Sequence, residues 1–179
     1  MVITLLLVIT SLLTNAQGKF YTKSGKISFF SSTSVENIQA QHKSAVVLLD
    51  TKTGDLQLAV LMKGFEFKKA LMQEHFNSDY VESDKYPKAE FKGMMTNNSS
   101  INYAIDGSYP ATVKGKLTIH GTTKDIETSG TITVKNGKIT LDSSFPVLVA
   151  DYNISIPKLY RDNISKSIKV TVNCALSAL

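Results

Sequence analysis

Alternation of apolar and polar residues dominates the chain from Leu56 onward. Between Leu56 and Met62 every second residue is apolar, which is the period of a strand with one buried face. The same period returns in four later stretches, residues 113–119, 126–134, 139–149 and 168–174. Apolar runs at residues 27–32, 45–50 and 89–94 complete a set of about eight predicted strands.

Turn residues separate these runs. Gly54 and Gly121 each lie between two alternating stretches, and the pair Asn136-Gly137 does the same. An Asn-Gly pair between alternating runs is among the strongest local signals for a β-hairpin. We therefore predict an all-β chain of sequentially connected antiparallel strands. Their apolar faces are buried either by closure into a barrel or by folding into a sandwich.

Small residues interrupt the aliphatic faces of three predicted strands. Gly115, Thr128, Gly130 and Ser143 stand at positions that should face the interior. Missing side-chain volume in an apolar interior leaves room for a ligand. The same residues could instead fit the taper of an ordinary packed barrel, and the pattern alone leaves both interpretations open.

Residues 67–76, "FKKALMQEHF", break the period of two. On a helical wheel Leu71, Met72, His75 and Phe76 fall in one half. This predicts a short amphipathic helix that caps one end of the barrel, with those apolar residues closing the interior. His75 would either hydrogen-bond to a neighbouring group or meet the polar end of a ligand.

The first stretch of the chain resembles a secretory signal. It has no charged side chain up to Ala16, and its apolar run extends from Val2 to Leu13. Cleavage after Ala16 would leave residues 17–179 as one exported domain; the alternative is a buried strand. Cys174, the single cysteine, continues the alternation of the last strand, so we predict that it is a buried apolar residue.

The charge pattern argues against a nucleic-acid partner. The formal net charge is +5, but Arg161 is the only arginine and the lysines are scattered along the chain. Arginine dominates bidentate recognition of bases and phosphates. A weak, transient attraction to an anionic membrane surface is compatible with this distribution.

Motifs for catalysis and for metal or cofactor binding are missing from the sequence. There is no G-x-S-x-G elbow or glycine-rich phosphate loop, and His42, His75 and His120 are tens of residues apart. An apolar ligand needs no such motif, because burial alone stabilises it. Two alternatives remain: an enzyme for a hydrophobic substrate that uses His75, His120 and an acid such as Glu74, and a packed interaction module without a cavity.

Four stretches of the chain resemble the YceI-like family: "LMQEHFNSDYVESDKYPKAEFKG" (Leu71 to Gly93), "VKGKLTIHGTTKDI" (Val113 to Ile126), "ADYNISIP" (Ala150 to Pro157) and "SIKVTVNCAL" (Ser167 to Leu176). The resemblance implies a lipocalin-like extended antiparallel β-barrel of about eight strands with a short capping α-helix. It also implies a bacterial periplasmic or secreted protein that holds a polyisoprenoid or other long-chain lipid, without catalysis, for carriage, storage or stress protection. Asn153 stands where the family often has glycine, and asparagine tolerates the same left-handed backbone.

The resemblance and the inward positions together define the expected lipid-contacting residues. They come from the strand faces and from the cap, and no catalytic residue, metal or cofactor is expected among them. Ligand identity and oligomeric state stay open, with a dimer possible. The expected set is Phe29, Leu58, Val60, Met72, His75, Phe76, Tyr86, Phe91, Leu117, Ile119, His120, Ile132, Phe145 and Val170.

Overall fold

Nine antiparallel strands make up most of the computed structural model, which describes residues 18–179. The predicted signal sequence, residues 1–16, lies outside the described residues. Within them the α-helix α1 (Ala70–His75) follows β4 and runs into one π-helical turn (Phe76–Tyr80). The strands are β1 (Lys19–Ser32), β2 (Asn37–Asp50), β3 (Asp55–Leu61), β4 (Glu66–Phe67), β5 (Lys88–Met95), β6 (Gly107–Ile119), β7 (Thr122–Lys135), β8 (Lys138–Leu148) and β9 (Ser167–Ala178).

Eight of the strands close into a barrel. Their order is β1-β9-β8-β7-β6-β5-β3-β2, and pairing between β1 and β2 completes the circle. The two-residue strand β4 is outside this circle and pairs with β2 at Ala40 and Gln41. Closure gathers the inward apolar faces of the strands around one interior. The predicted barrel of about eight strands is confirmed, and the sandwich alternative is wrong.

The turn residues adopt the backbone conformations that their types predict. Asn136 (φ 51°) and Gly137 (φ 72°) are both left-handed in the β7–β8 turn, as a two-residue hairpin turn requires. Asn153 also has a positive φ of 56°, so asparagine replaces glycine here without losing the turn. These local signals identified the turns correctly because each requires a conformation that few residues tolerate.

The single cysteine lies in the wall shared by β1 and β9. Cys174 is fully buried, and its Sγ lies 3.8 Å from the Lys26 carbonyl oxygen. Gly25 passes over it at a bulge in β1, where a Cβ would come within 2.7 Å of Sγ. Burial raises the pKa of the Cys174 thiol to about 11, so the thiol stays protonated and packs as a small apolar group, as predicted.

The two ends of the barrel differ. At one end the strands are joined by residues 51–54, 96–106 and 136–137, and Met95 and Ile101 are buried beneath these connections. Tyr103 lies there too; its hydroxyl donates to Asn98 Oδ1 at 2.8 Å, and burial raises its pKa to about 12. At the opposite end, called the mouth below, lie residues 33–36, 62–87, 120–121 and 149–166. None of the helices among residues 18–179 has the length and apolar character needed to cross a membrane.

A buried histidine near the mouth makes stability depend on pH. His42 in β2 is 3% exposed, its Nδ1 accepts the Ser44 N–H at 3.1 Å, and its ring lies against Gly64 and Phe65. Burial lowers the pKa of His42, offset in part by a hydrogen bond to the Leu61 backbone. The unfolded chain therefore binds the proton more readily than the folded chain.

We expect this histidine to contribute to acid destabilisation. Its contribution is complete above the ordinary histidine pKa of about 6.5 and falls as the pH drops below that value toward the lowered folded-state pKa. Urea unfolding of wild type and His42→Gln between pH 7.5 and 5 measures it, and the variant should show a shallower pH dependence. His75→Gln, at an exposed histidine, is the control; an equal flattening in that variant would contradict the prediction.

Candidate ligand-binding cavity

Two adjoining cavities run along the inside of the barrel toward the mouth. The inner cavity has a volume of about 150 Å³, and the outer cavity, at the mouth, has about 390 Å³. Ile119, Val147 and Val170 line both cavities. These three residues are called the waist below, because they form the wall where one cavity meets the other. The interior is therefore not filled by its own side chains, unlike that of a packed interaction module.

The inner cavity is apolar because the strands present their alternating faces to it. Leu58 and Val60 of β3, Leu117 of β6 and Ile132 of β7 are among its walls. Thr128 and Ser143 add two hydroxyls, whose oxygens lie 3.3 Å apart, and the Ser143 hydroxyl also donates to the Ser129 carbonyl at 2.8 Å. These two hydroxyls therefore have partners within the protein, and most of the surface left for a ligand is hydrocarbon.

Only some of the small interior residues create the empty volume. Thr128, Gly130 and Ser143 line the inner cavity, but Gly115 does not. Gly115 faces Gly93 across the β5–β6 ladder, and a Cβ at either position would lie 2.8 Å or less from Cζ of Phe91. The space left by this glycine pair is thus occupied by the Phe91 ring. Phe91 is 8% exposed and is itself a wall of the inner cavity.

Four phenylalanines pack together in the wall of the outer cavity. The ring centroid of Phe29 lies 5.3–5.6 Å from those of Phe65, Phe67 and Phe76, and Phe67 and Phe76 are 5.1 Å apart. Tilted and edge-on aromatic pairs at this distance add attraction beyond burial. They join β1, β4 and the π-helical turn, so the aromatic cluster attaches the C-terminal end of the helical segment to the barrel.

Most polar residues that line the outer cavity belong to the segments at the mouth and are called the rim below; Ser31, which is 2% exposed, is the buried exception. Lys69 Nζ lies 3.0 Å from Glu36 Oε1, and the Lys69 hydrogen bond is the largest cause that lowers the pKa of Glu36. His75 Nδ1 lies 2.6 Å from Asp79 Oδ2. A hydrogen bond from Ser78, followed by that from His75, lowers the pKa of Asp79, so the carboxylate is ionised. Lys69 and His75 therefore each have an acidic partner within the protein.

The helical segment differs from its prediction in two ways. Phe67 belongs to β4, and the α-helix covers only Ala70–His75 before the backbone widens into the π-helical turn. Leu71, predicted to close the interior, is 61% exposed, although it borders the mouth of the outer cavity. The reason is the short length of the helix, which leaves its first turn projecting beyond the aromatic cluster.

Twelve of the fourteen expected lipid-contacting residues line a cavity; contact with a lipid stays a prediction for each of them. His120 and Tyr86 line neither cavity. The twelve are Leu58, Val60, Phe91, Leu117, Ile132 and Phe145 in the inner cavity, Phe29, Met72, His75 and Phe76 in the outer cavity, and Ile119 and Val170 in both.

His120 instead ties together three segments at the mouth. Its Nε2 lies 2.7 Å from Glu82 Oε2, its Nδ1 lies 3.1 Å from the Tyr152 carbonyl oxygen, and its ring contacts Tyr86 edge-on at 4.5 Å. The residue has a positive φ of 50° and an 11% exposed side chain. Its position in the β6–β7 turn directs the ring to these neighbours, and sequence could not show this because the partners lie 32 and 38 residues away.

Replacing His120 should lower stability without changing the cavities. We expect His120→Asn to reduce the free energy of unfolding by about 1–3 kcal/mol, the cost of removing a largely buried imidazole from its hydrogen bonds to the Tyr152 carbonyl and the half-exposed Glu82. Asparagine tolerates a positive φ, so the loss reports the side-chain contacts. Urea unfolding at pH 7 measures it. His75→Asn, which removes an exposed pair, should cost under about 1 kcal/mol; equal losses would contradict the structural role of His120.

Sequence analysis missed one wall of the outer cavity. The connection 149–166 contributes Ile154, Ile156, Tyr160 and Ile164, and the I-x-I spacing at 154–156 is the only signal that could have found it. The enzyme alternative receives no geometric support, since His75 and His120 bond to different acids, Asp79 and Glu82. Among residues 18–179 no three His, Cys, Asp or Glu side chains are placed to hold a metal ion.

Comparison with family models identifies the family of the chain. The family model described as the YceI-like domain matches residues 6–176. Comparison with curated protein sequences finds no match. Among solved structures, a polyisoprenoid binding domain from Saccharophagus degradans is similar, with a TM-score of 0.78 and 16% identity over 91% of this chain and 99% of that one.

Two further solved structures have the same fold. Burkholderia cenocepacia BcnA has a TM-score of 0.69 and 18% identity, over 86% of this chain and 96% of that one. A Campylobacter jejuni YCEI protein has a TM-score of 0.56 and 20% identity, over 74% of this chain and 78% of that one. At these identities the similarity establishes the fold.

Proposed function

Because the chain belongs to the YceI-like domain family, we propose that it binds a long-chain, isoprenoid-like lipid inside the barrel without reacting with it. A polyprenyl chain, an isoprenoid quinone and a similar acyl chain all have the required shape. The observation that carries the proposal is the pair of cavities joined at the waist, since together they offer an elongated apolar space that reaches the mouth. The name of the Saccharophagus degradans domain points to the same ligand class.

The length of the cavity suits a chain ligand. Cavity-lining residues of β6 extend from Ala111 to Ile119, which corresponds to roughly 26 Å of strand and to roughly 20 Å along the axis at a typical strand tilt. Burial of each methylene contributes about 0.8 kcal/mol. Ten methylenes therefore offer about 8 kcal/mol before the entropy lost on binding is subtracted. Shape and apolar lining are sufficient to hold such a ligand.

The polar residues of the rim favour a lipid whose polar end carries no net charge. Lys69 and His75, which both line the outer cavity, are paired with Glu36 and Asp79. A phosphate or carboxylate would have to compete with these acids for its counter-ion. A quinone carbonyl or an alcohol can use hydrogen bonds from Tyr160 or other rim groups at lower cost. We therefore infer that uncharged polar ends bind more tightly than anionic ones on the same chain.

The place of action proposed here is outside the cytoplasm. The leader-like residues 1–16 support export to a bacterial periplasm or to the medium. In an aqueous compartment, a long apolar chain needs a carrier that covers it. Carriage, storage or protection of such a lipid under stress would all use the same cavity.

Organic extraction of natively purified protein, followed by mass spectrometry, tests the proposal. We expect a long-chain lipid in the extract, at a level well above that from an unrelated exported barrel purified in parallel. Delipidated protein should then take up a polyprenyl alcohol or a quinone from solution. Protein that is purified empty and fails to take up polyprenyl or acyl chains would exclude this function.

A separate titration tests the inference about the polar end of the ligand. Prenyl alcohol and prenyl phosphate with the same chain should be titrated into delipidated protein, and the alcohol should bind more tightly. Equal or tighter binding of the phosphate would contradict the inference about the rim while leaving the chain-binding proposal intact.

A further inference from the structure

Three segments of the chain surround the mouth of the outer cavity. They are the β1–β2 turn (residues 33–36), the helical segment (residues 66–80) and the connection before β9 (residues 149–166). Each contributes residues to the cavity wall, including Glu36, Lys69 and Asn163 respectively. The mouth can therefore widen only if these segments move apart.

One carboxylate contacts both of the other segments. Glu36 Oε1 lies 3.0 Å from Lys69 Nζ at the start of the helical segment, and Glu36 Oε2 lies 3.4 Å from Asn163 Nδ2 in the connection before β9. Its side chain is 27% exposed, whereas that of Lys69 is 68% exposed. A single side chain thus joins two segments that approach the mouth from different parts of the barrel.

The turn that carries Glu36 is held in place by its own hydrogen bonds. Thr33 Oγ1 accepts the N–H groups of Val35 and Glu36 at 3.2 and 3.1 Å. The Thr33 N–H donates to the Glu36 carbonyl at 3.1 Å. Because the turn joins two long paired strands, it forms the fixed side of the contact.

The helix is the weakly attached side. It has six residues, no buried side chain and no side-chain hydrogen bond at its N-cap. A helix of this length is unstable by itself, so its position depends on its contacts with the rest of the chain, which include a hydrogen bond from the Phe67 N–H to Gln73 Oε1 at 3.2 Å. Beyond its C-terminal end, Phe76 belongs to the aromatic cluster, and just before its N-terminal end Lys69 contacts Glu36. Loss of the Glu36 contact would let the first turn swing away from the mouth.

We propose that Glu36 is a latch, which holds the helical segment and residues 149–166 together across the mouth and so limits the rate at which ligand enters and leaves. The ligand part of this inference rests on the proposed function, whereas the motion of the helix does not. Glu36 acts on the rate of exchange through the position of Lys69 and Asn163. The walls of the inner cavity and the waist are unchanged by its removal.

Two readouts test the latch in the full-length mature protein. Hydrogen exchange of the Met72 and Gln73 amides, both bonded to the Lys69 carbonyl, should accelerate in ligand-free Glu36→Ala and, less strongly, in Glu36→Gln. The dissociation rate of a fluorescent polyprenyl probe should rise about three- to five-fold in Glu36→Ala. Higher salt should accelerate release from wild type, because it screens the ion pair, and should have little effect on the variant.

Matched variants separate a latch from a general loss of charge. Glu127→Ala breaks an exposed pair with Lys114 on the outside of the barrel, where the ions lie 3.1 Å apart, and should leave both rates unchanged. Glu36→Lys combined with Lys69→Glu should restore slow exchange. Unchanged amide exchange in Glu36→Ala, or an equal acceleration in Glu127→Ala, would overturn the latch. Absence of any probe binding would overturn the proposed function instead, and the amide exchange would still decide the latch.

Discussion

Val170→Phe is expected to weaken binding of a long isoprenoid chain by roughly a hundred-fold or more while the barrel stays folded. Val170 lies at the waist, where a phenyl ring would fill the passage between the outer and the inner cavity. A chain excluded from the inner cavity loses the burial of several methylenes. Five of them correspond to about 4 kcal/mol, or several hundred-fold in affinity.

Titration of delipidated protein with polyprenyl alcohols of increasing length measures this effect. Short chains that fit the outer cavity should bind wild type and variant with similar affinity, and the difference should grow with chain length. Thr171→Phe places the same ring on the outer side of the same strand and should bind like wild type. Since overpacking costs about 1–3 kcal/mol, thermal unfolding must show that the variant is folded. A difference between wild type and Val170→Phe that does not grow with chain length would contradict the role of the waist.

Phe91→Ala is expected to cost about 3–5 kcal/mol of unfolding free energy, the usual loss for a buried phenylalanine. The ring lies against the Gly93–Gly115 pair, where neither residue has a side chain that could move into the space it leaves. The site therefore cannot collapse, which puts the expected loss at the upper end of the range.

Urea unfolding of the ligand-free protein measures this loss, with Phe30→Ala as the matched control. Phe30 belongs to β1 and is 39% exposed, so its truncation should cost about 1 kcal/mol or less. A bound lipid should recover part of the stability of Phe91→Ala, because the enlarged cavity can be filled by the ligand. A loss below about 1.5 kcal/mol would show that the sheet rearranges around the glycine pair.

Most of the barrel could be predicted from sequence because strand periodicity assigns each residue to one of two faces. Leu58, Leu117 and Ile132 were placed inside for this reason, and each lines the inner cavity. The turns at Gly54, Gly121 and Asn136-Gly137 followed from conformations that few residues adopt. These features depend on neighbours within a few residues, which is the range over which sequence patterns act.

The mouth could not be predicted to the same extent because its contacts join distant segments. Glu36 and Asn163 are 127 residues apart, and His120 meets Glu82 and Tyr152 only in the folded protein. The helical wheel of residues 67–76 also assumed one regular helix, whereas β4, α1 and a π-helical turn share this part of the chain. The prediction that the apolar face closes the interior is therefore correct for Met72 and Phe76, which line the outer cavity, and wrong for Leu71, which is exposed.

The placement of the polar side chains at the mouth, away from the end covered by residues 96–106, has a consequence for the order of loading and delivery. A chain ligand that enters from the mouth does so tail first, so its polar end is the last part to enter and the first to emerge. A membrane or an acceptor protein could then contact the exposed polar end of the bound lipid while its chain stays inside the barrel. Recognition of the bound lipid and removal of its chain from the barrel would then be two separate steps. A partner could distinguish loaded from empty protein before the lipid is released.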